Sequence, residues 1–196
     1  MVVAERAGLS EHRWREAART PRGLAELQRL FRGGRYPSQP PDGRTRGAFI
    51  GTTLGGPFDR GVGALAGLWM PWLGKRFDAA SSTGDNVLAV GPRWSARLAL
   101  RAASRLGWAM ALEPDGTLRG FPFVTGRGPG IMDPDVEVLR IVYAYPGAPN
   151  PDLVRRVLDE VVEVEPGLLL GKAHLRVAGG RWRQAGYFSL RTSGES

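Results

Sequence analysis

Asp135-Val-Glu-Val-Leu-Arg-Ile-Val-Tyr-Ala-Tyr145 is the clearest strand pattern in this chain and the best guide to its fold class. Valine, isoleucine and tyrosine are enriched in β-strands. Asp133-Pro134 before the stretch and Pro146-Gly147 after it are turn dipeptides that limit it at both ends. The pattern therefore predicts a β-strand over residues 135–145.

The side chains of this strand alternate between two faces. One face carries three valines and Arg140, and the other carries Leu139, Ile141, Tyr143 and Tyr145. We expect the aromatic face to point into the protein. Arg140 would then point outward with its stem packed on the surface, since a buried arginine would need a carboxylate or an anionic ligand.

More strand patterns lie on both sides of this stretch. They are Arg46 to Leu54, Trp108 to Leu112, Thr117 to Val124, Leu168 to Val177 and Trp182 to Arg191. The turn Glu113-Pro-Asp-Gly116 joins one pair and Ala178-Gly-Gly180 joins another, so each pair predicts an antiparallel hairpin. Strands joined by short turns must hide their edges, and an up-and-down β-barrel does so. A barrel of about eight strands can hold one small ligand.

Helical patterns dominate the N-terminus. Ser10 to Arg19 and Thr20 to Phe31 have helical character, and a Thr-Pro pair opens the second of them. The turn-rich segment Tyr36 to Gly43 then separates this arm from the body. The predicted domains are a helical arm and linker at 1–45, a β-barrel at 46–192 and a disordered tail at 193–196.

One or two covering helices are expected in the body. Phe58 to Trp72 presents one apolar face that includes Trp69 and Trp72, and such a helix would cover a cavity. Asn150-Pro151-Asp152 has the order of a helix cap and first turn, with apolar residues continuing to Val161. Ser95 to Leu106 fits both a helix and a strand, and the sequence leaves its structure open.

The net charge of +8 is carried mainly by the arm. Residues 1–46 have a net charge of +5, and the remainder of the chain has one of +3. Of the 27 basic residues 25 are arginine, a bias typical of GC-rich coding, so we expect a solvated basic face and no nucleic-acid partner. The alternative is that the arm makes a peripheral contact with an acidic partner or an anionic lipid surface.

The composition also restricts location and chemistry. Cysteine is absent, which excludes disulfides, thiolate metal sites and cysteine nucleophiles. The sequence contains neither an N-terminal signal pattern nor an uncharged stretch of about 18 residues, so a cytoplasmic location without a membrane span is the default expectation. The oligomeric state stays open.

Three local motifs occur in order along the body. They are Gly47-Ala-Phe-Ile-Gly51, Trp72-Leu-Gly-Lys-Arg-Phe-Asp78, and Leu170-Gly-Lys-Ala173 with Tyr187-Phe-Ser-Leu-Arg191. Over about residues 46–192 the chain resembles the family named for a Gly-X-Trp-X-Gly motif, with its C-terminal domain of unknown function. Phe49 stands where that family has its Trp. The resemblance implies a lipocalin-like or calycin-like β-barrel and supplies no settled activity.

The same positions can be interpreted without the family. Gly47 and Gly51 in a strand indicate a close backbone approach or strong bending, as at barrel corners. Phe49 between them would fill the closed end of the barrel. Trp69 and Trp72 would by default pack in a helix; the alternatives are that they stack on a ligand or lie at a membrane surface.

The catalytic candidates are two polar side chains of the second motif and the histidine of the closing hairpin. Lys75 and Lys172 are the only lysines and each follows a glycine. They are either ammonium groups beside an acidic ligand, nucleophiles activated by burial, or ordinary lysines such as an ion pair of Lys75 with Asp78. His174 shares a strand face with Lys172; we favour the opposite face for the interior, which leaves His174 exposed and idle. If its own face points inward, His174 becomes a candidate acid or base.

Other chemistries are not supported by the sequence. His12 and His174 have no metal-ligand spacing around them, so neither a metal site nor a cofactor is predicted. Gly126-Arg-Gly-Pro-Gly130 has neither phosphate-loop pattern and indicates a loop. The hydrolase elbow Gly-X-Ser-X-Gly is absent.

The predicted function is the binding of a small hydrophobic molecule of lipid, terpenoid, polyketide or tetrapyrrole class in an apolar barrel cavity. The alternative is a cofactor-independent cyclase or isomerase that folds a flexible substrate in the same cavity. The catalytic candidates are Lys75, Asp78 and His174. The ligand-binding candidates are Phe49, Trp69, Trp72, Phe77, Leu139, Ile141, Tyr143, Lys172 and Tyr187.

Overall fold

The computed structural model describes residues 11–53, 72–89 and 100–192, and these form a mainly antiparallel β structure with few helices. The strands are β1 (Gly43–Thr52), β2 (Trp72–Asp78), β3 (Thr83–Leu88), β4 (Met110–Leu112), β5 (Leu118–Pro129), β6 (Glu137–Val142), β7 (Val157–Glu165), β8 (Leu168–Arg176) and β9 (Trp182–Thr192). The helices are α1 (11–17), α2 (Pro21–Gly33), α3 (100–105), α4 (Asp152–Arg155) and a 3-10 turn (Ala178–Gly180).

Eight of the strands form a closed barrel. The strand order is β3-β2-β1-β9-β8-β7-β6-β5-β4, and β3 also pairs with β5, from Thr83 opposite Val124 to Leu88 opposite Leu118. This second pairing closes the sheet, and β4 is left as a short addition to the start of β5. The predicted antiparallel β-barrel is therefore confirmed.

Both predicted hairpins form where their turn residues allow. At the first, Gly116 has a φ of 83°, and the backbone N–H of Glu113 donates to the carbonyl of Thr117. A positive φ favours glycine because it has no Cβ. At the second, β8 and β9 pair from Leu168 opposite Arg191 to Arg176 opposite Trp182.

The helix predicted after Asn150 is wrong beyond its first turn. Helix α4 ends at Arg155, and β7 runs from Val157 to Glu165 between β6 and β8. Its valines are β-branched and prefer a strand, and two neighbouring strands satisfy its backbone groups.

Two other segments, 58–72 and 95–106, are described only in part. Trp72 begins β2 and therefore does not end a helix, whereas 58–71, with Trp69, lie outside the described residues. In the segment whose structure the sequence left open, 100–105 form helix α3, and 95–99 are likewise outside the described part of the chain.

The barrel wall separates two hydrophobic clusters. The inner cluster fills the barrel and contains Phe77, Leu88, Leu118, Phe121, Phe123, Leu139, Ile141, Tyr143, Val154, Val161, Leu169, Phe188 and Leu190. The outer cluster lies between the barrel and the N-terminal helices and contains Leu27, Phe31, Ile50, Val136, Val138, Val162, Leu170 and Tyr187. Leu139, Ile141 and Tyr143 face inward as predicted, and Arg140 lies on the opposite side of β6, where it donates to the carbonyl of Pro129.

The N-terminal arm packs on the outside of this wall. Thr20 caps α2, since its Oγ1 accepts from the backbone N–H of Gly23 at 3.1 Å. Leu27 and Phe31 of α2 are buried against the barrel. Strand β1 begins at Gly43, within the predicted linker, and the predicted tail at 193–196 lies outside the residues described.

Candidate functional site

An internal cavity of about 360 Å³ lies in the barrel. Its walls are mostly apolar and aromatic, with four polar side chains together on one side of the lining. The lining residues are Phe49, Trp72, Lys75, Asn86, Leu88, Phe121, Tyr143, Val154, Val157, Asp159, Ala173 and Phe188. Phe49 lies near the end of the barrel at which β1 and β8 finish and β7 and β9 begin. Because its side chain is 50% exposed, this end is open, and we name it the open end.

Lys75 is the centre of a buried polar cluster on this cavity, and only 2% of its surface is exposed. Its Nζ lies 2.9 Å from Asp159 Oδ2, 2.9 Å from Asn86 Oδ1 and 2.5 Å from the hydroxyl oxygen of Tyr143. An ammonium group has three donors, and these three oxygens use all of them. We call Lys75, Asn86, Tyr143 and Asp159 the inner polar cluster.

Aromatic rings surround the ammonium group. Lys75 Nζ lies 5.2 to 5.7 Å from the ring centroids of Trp72, Phe123, Tyr143 and Phe188. Ring faces attract a cation at this range, most strongly where water is excluded. The rings therefore help to replace the hydration shell that the lysine loses on burial.

Asn86 connects this cluster to the backbone. Its Nδ2 donates to the carbonyl of Phe121 at 3.1 Å, and its Oδ1 accepts from Trp72 Nε1 at 3.1 Å. Phe121 has a φ of 53°, a region that few residues other than glycine adopt. The asparagine thus holds a strained backbone position within β5 and one wall of the cavity in place.

Two residues of β1, Gly47 and Thr45, position Trp72 and Lys75. A Cβ on Gly47 would lie 2.4 Å from the Trp72 ring, so the indole packs directly on the β1 backbone. Thr45 Oγ1 donates to the Lys75 carbonyl and accepts from its N–H, at 2.9 and 3.2 Å. The close approach expected at Gly47 is confirmed.

Burial controls the protonation of the inner polar cluster. It lowers the pKa of Lys75, an effect that the charge and hydrogen bond of Asp159 partly offset. It also raises the pKa of Tyr143 well above its ordinary value, and Asp159 adds to that rise. Tyr143 is therefore a neutral phenol that donates to Asp159 Oδ2 at 3.0 Å. Within the described part of the chain, Asp159 Oδ1 has no hydrogen-bond partner.

The predicted site residues, apart from Trp69 outside the described part of the chain, divide into three groups in the structure. Phe49, Trp72, Lys75 and Tyr143 line the cavity. Phe77, Leu139 and Ile141 belong to the inner cluster but fill the barrel away from the cavity lining. Asp78, Lys172, His174 and Tyr187 lie elsewhere.

Two predicted positions at the ends of strands need correction. Phe49 does not fill a closed end, because it lies half-exposed at the open end. Asp78 is exposed and accepts from the backbone N–H groups of Ala80 and Ser81, as in a turn. Lys75 pairs with Asp159 and not with Asp78.

Lys172 and Tyr187 belong to a second buried cluster, outside the barrel. Lys172 Nζ donates to Asp133 Oδ2 at 2.5 Å and to Gln28 Oε1 at 2.6 Å, and it lies 4.1 Å from the Phe31 ring centroid. Tyr187 also donates to Gln28, at 3.1 Å. Both side chains therefore fasten α2 to the barrel and do not reach the cavity.

His174 is also on the outer face, yet the expectation that it is exposed is wrong. Its side chain is 0% exposed, and Nε2 lies 3.0 Å from Glu160 Oε2. Glu160 also accepts from the backbone N–H of Ile131 at 2.6 Å, so the segment before β6 covers the pair. His174 has no access to the cavity and cannot serve there as an acid or base.

Sequence reasoning missed eight of the twelve lining residues, and three of these, Asp159, Phe188 and Asn86, show why. Asp159 was hidden by the helical interpretation of Leu153 to Val161; as a strand, the same residues place Val157, Asp159 and Val161 on one face. Phe188 was missed because its neighbour Tyr187 was assigned to the interior. Asn86 has no local signal, because its role comes from pairing of β3 with β2 and β5.

The described residues contain no group of three or more His, Asp or Glu that could hold a metal ion. They also contain no helix with the length and apolar character needed to cross a membrane.

No protein-family model matches the chain, and no curated protein matches it either. A solved structure of a protein from Thermomonospora curvata is similar to this chain, with 16% sequence identity, coverage of 86% of each chain and a TM-score of 0.46.

Proposed function

We propose that the protein binds a small hydrophobic molecule in its barrel cavity, with the polar end of that molecule at the inner polar cluster. The observation that carries this proposal is an apolar cavity of about 360 Å³ whose lining includes a buried lysine and aspartate. Ligand sites commonly combine apolar walls with a few fixed polar groups, and volumes of roughly 300–1,000 Å³ are typical.

The hydrogen bonds of the cluster indicate which polar end fits. All three Lys75 donors are occupied, and the Tyr143 hydroxyl hydrogen points to Asp159. Asp159 Oδ1 is the acceptor without a partner among the described residues. A ligand hydroxyl that donates to this oxygen would complete the network, whereas a ligand that can only accept would find no free donor in it.

The first experiment looks for a ligand and for this preference. Native mass spectrometry of the freshly purified protein should detect a bound apolar molecule. Titration with 1-decanol and with decyl methyl ether, followed by tryptophan fluorescence, should show decanol binding about tenfold more tightly or better, since a hydrogen bond to a charged acceptor contributes about 1.5–3 kcal/mol. Equal affinities would contradict the role of Asp159 while leaving the cavity as the site.

A cavity-filling variant tests the location. Ala173 lines the cavity, so Ala173→Phe should abolish binding of decanol. Ala144→Phe makes the same change at an exposed position and should bind as the unmodified protein does. Full binding by Ala173→Phe, with an unchanged unfolding temperature, would contradict the proposal.

Asp159 also supports the second candidate function, an isomerase or cyclase. A carboxylate that faces an apolar cavity can take a proton from a bound substrate and return it at another carbon. Asp159→Asn should then retain binding and lose turnover. Retained turnover in this variant would remove the enzymatic alternative.

A further inference from the structure

A second cavity, of about 440 Å³, lies beside α4, where β8 ends and β9 begins. It combines four exposed arginines with four apolar side chains. The lining residues are Leu153, Arg156, Leu175, Arg176, Val177, Ala178, Arg181 and Arg183. We name Arg156, Arg176, Arg181 and Arg183 the mouth arginines.

The mouth arginines are not neutralised by the part of the chain that the structure describes. None of them forms an ion pair with a carboxylate there, and no acidic residue lines their cavity. The acids nearest in sequence are Asp159, which pairs with Lys75 in the barrel, and Asp152 of α4; neither belongs to the lining. Four like charges around one cavity repel each other unless an anion compensates them.

Three arginines of the arm form contacts with the barrel. Arg32 pairs with Asp133 at 2.9 Å, and Arg35 pairs with Glu163 at 3.0 Å. Arg15 donates to the carbonyl of Phe49 at 3.1 Å. These three side chains fasten the arm to the barrel, whereas none of the mouth arginines forms an ion pair in the described residues.

The mouth arginines lie at the open end of the barrel. Val154 and Val157, which line the ligand cavity, alternate along the chain with Leu153 and Arg156, which line the second cavity. Ala173 of the ligand cavity likewise lies two residues before Leu175 on the same strand. A surface bound to the mouth arginines would therefore be next to the entrance of the ligand cavity.

We propose that the mouth arginines dock the open end of the barrel on an anionic lipid bilayer. Guanidinium groups bind phosphate oxygens in pairs of hydrogen bonds, and basic residues near an anionic leaflet strengthen attachment. Half-buried Trp182 lies opposite Arg176 in the β8–β9 pairing, and tryptophan is enriched at the membrane–water interface. The apolar side chains among the arginines suit a bilayer better than a soluble anion.

The test measures sedimentation of the full chain with vesicles of phosphatidylcholine alone and of phosphatidylcholine mixed with phosphatidylglycerol. We expect binding to the mixed vesicles only, with loss at high salt because the attraction is screened. The triple variant Arg156→Gln, Arg181→Gln, Arg183→Gln should bind about 100-fold more weakly. All three positions are exposed, and an unchanged circular dichroism spectrum would show that the variant folds.

The matched control is Arg13→Gln, Arg22→Gln, Arg29→Gln, which removes the same charge from exposed positions of the arm. It should bind mixed vesicles nearly as the unmodified protein does. Equal weakening of both triple variants, absence of binding to mixed vesicles, or displacement by inorganic phosphate at low concentration would each overturn the proposal. Ala173→Phe should still bind vesicles, so failure of the ligand proposal and failure of this one are distinguishable.

Discussion

A lysine inside an apolar barrel loses its water shell, and it is stable there only if a carboxylate and hydrogen bonds replace that water. Lys75 has Asp159 as its carboxylate and Asn86 and Tyr143 as neutral partners. Asn86 lies on β3, Asp159 on β7, and Tyr143 in the segment directly after β6. The cluster therefore links these three parts of the wall to β2, which carries Lys75. The inner polar cluster is therefore both a structural element and the polar end of the ligand cavity.

Removing Lys75 should destabilise the protein strongly. Lys75→Met leaves Asp159 buried without its cation, and loss of one partner of a buried pair costs about 3–5 kcal/mol. Urea unfolding followed by circular dichroism measures this change. The double variant Lys75→Met, Asp159→Leu removes both charges and should recover much of the loss; a double variant as unstable as the single one would contradict this account.

Strand β7 and helix α2 show how the elements place these residues. Both faces of β7 are used: Asp159 points to the cavity, while Glu160 points outward to His174. Helix α2 lies over the outward face of the same region and is held through Asp133 and Lys172. The wall of the barrel thus carries a polar cluster on each side, and only the inner one belongs to the ligand cavity.

The attachment of α2 should weaken in acid. Burial alone would raise the pKa of Asp133, but hydrogen bonds and charges from Lys172 and Arg32 outweigh it and hold that pKa below the ordinary value of 3.8. A carboxyl with a lowered pKa stabilises the fold above its unfolded pKa, and this contribution is lost as the pH falls through the folded value. Urea unfolding at a series of pH values below 5 should show this loss.

The variant Asp133→Asn should show a shallower decline over the same pH range, although it will be less stable at neutral pH because Lys172 loses its partner. Asp135→Asn is the matched control, since Asp135 is 84% exposed and lies 3.7 Å from Arg32. It should keep the slope of the unmodified protein. An identical slope for Asp133→Asn would contradict the role assigned to Asp133.

The arm and the barrel form one hydrophobic unit through the outer cluster. Deletion of residues 1–41 removes Leu27 and Phe31, both fully buried, and uncovers Val162, Leu170 and Tyr187 of the wall. Full burial of one large apolar side chain contributes about 1.5–3 kcal/mol, so the truncated chain should lose roughly 3–6 kcal/mol.

Thermal unfolding and binding of a hydrophobic dye measure this effect. The truncated protein should unfold at a lower temperature and bind more dye than the full chain. The same unfolding temperature for both would mean that the arm is an appendage without a part in the core.

The sequence indicated both hairpins, the cap of α2 and the inward face of β6, because each of these depends on residues close together in the chain. It indicated a closed antiparallel barrel less directly, because strands joined by short turns must hide their edges. Alternation, turn glycines and helix caps are local properties. Lys75 could be singled out because the chain has only two lysines, but no sequence feature identified Asp159 as its partner. Asp78 was the acid nearest in sequence, while Asp159 is 84 residues away and is brought close by the pairing of strands.

What local patterns could not establish is which residues meet. The choice between helix and strand for Val157 to Val161 was made by the neighbouring strands, which supply hydrogen bonds that an isolated segment lacks. The burial of Lys172 and Tyr187 was set by the arm, and that of His174 by the segment before β6, because elements packed on the outside bury polar side chains that alternation alone would expose. Periodicity is thus written in the chain, whereas the contacts between distant residues arise only when the barrel closes and the arm covers it.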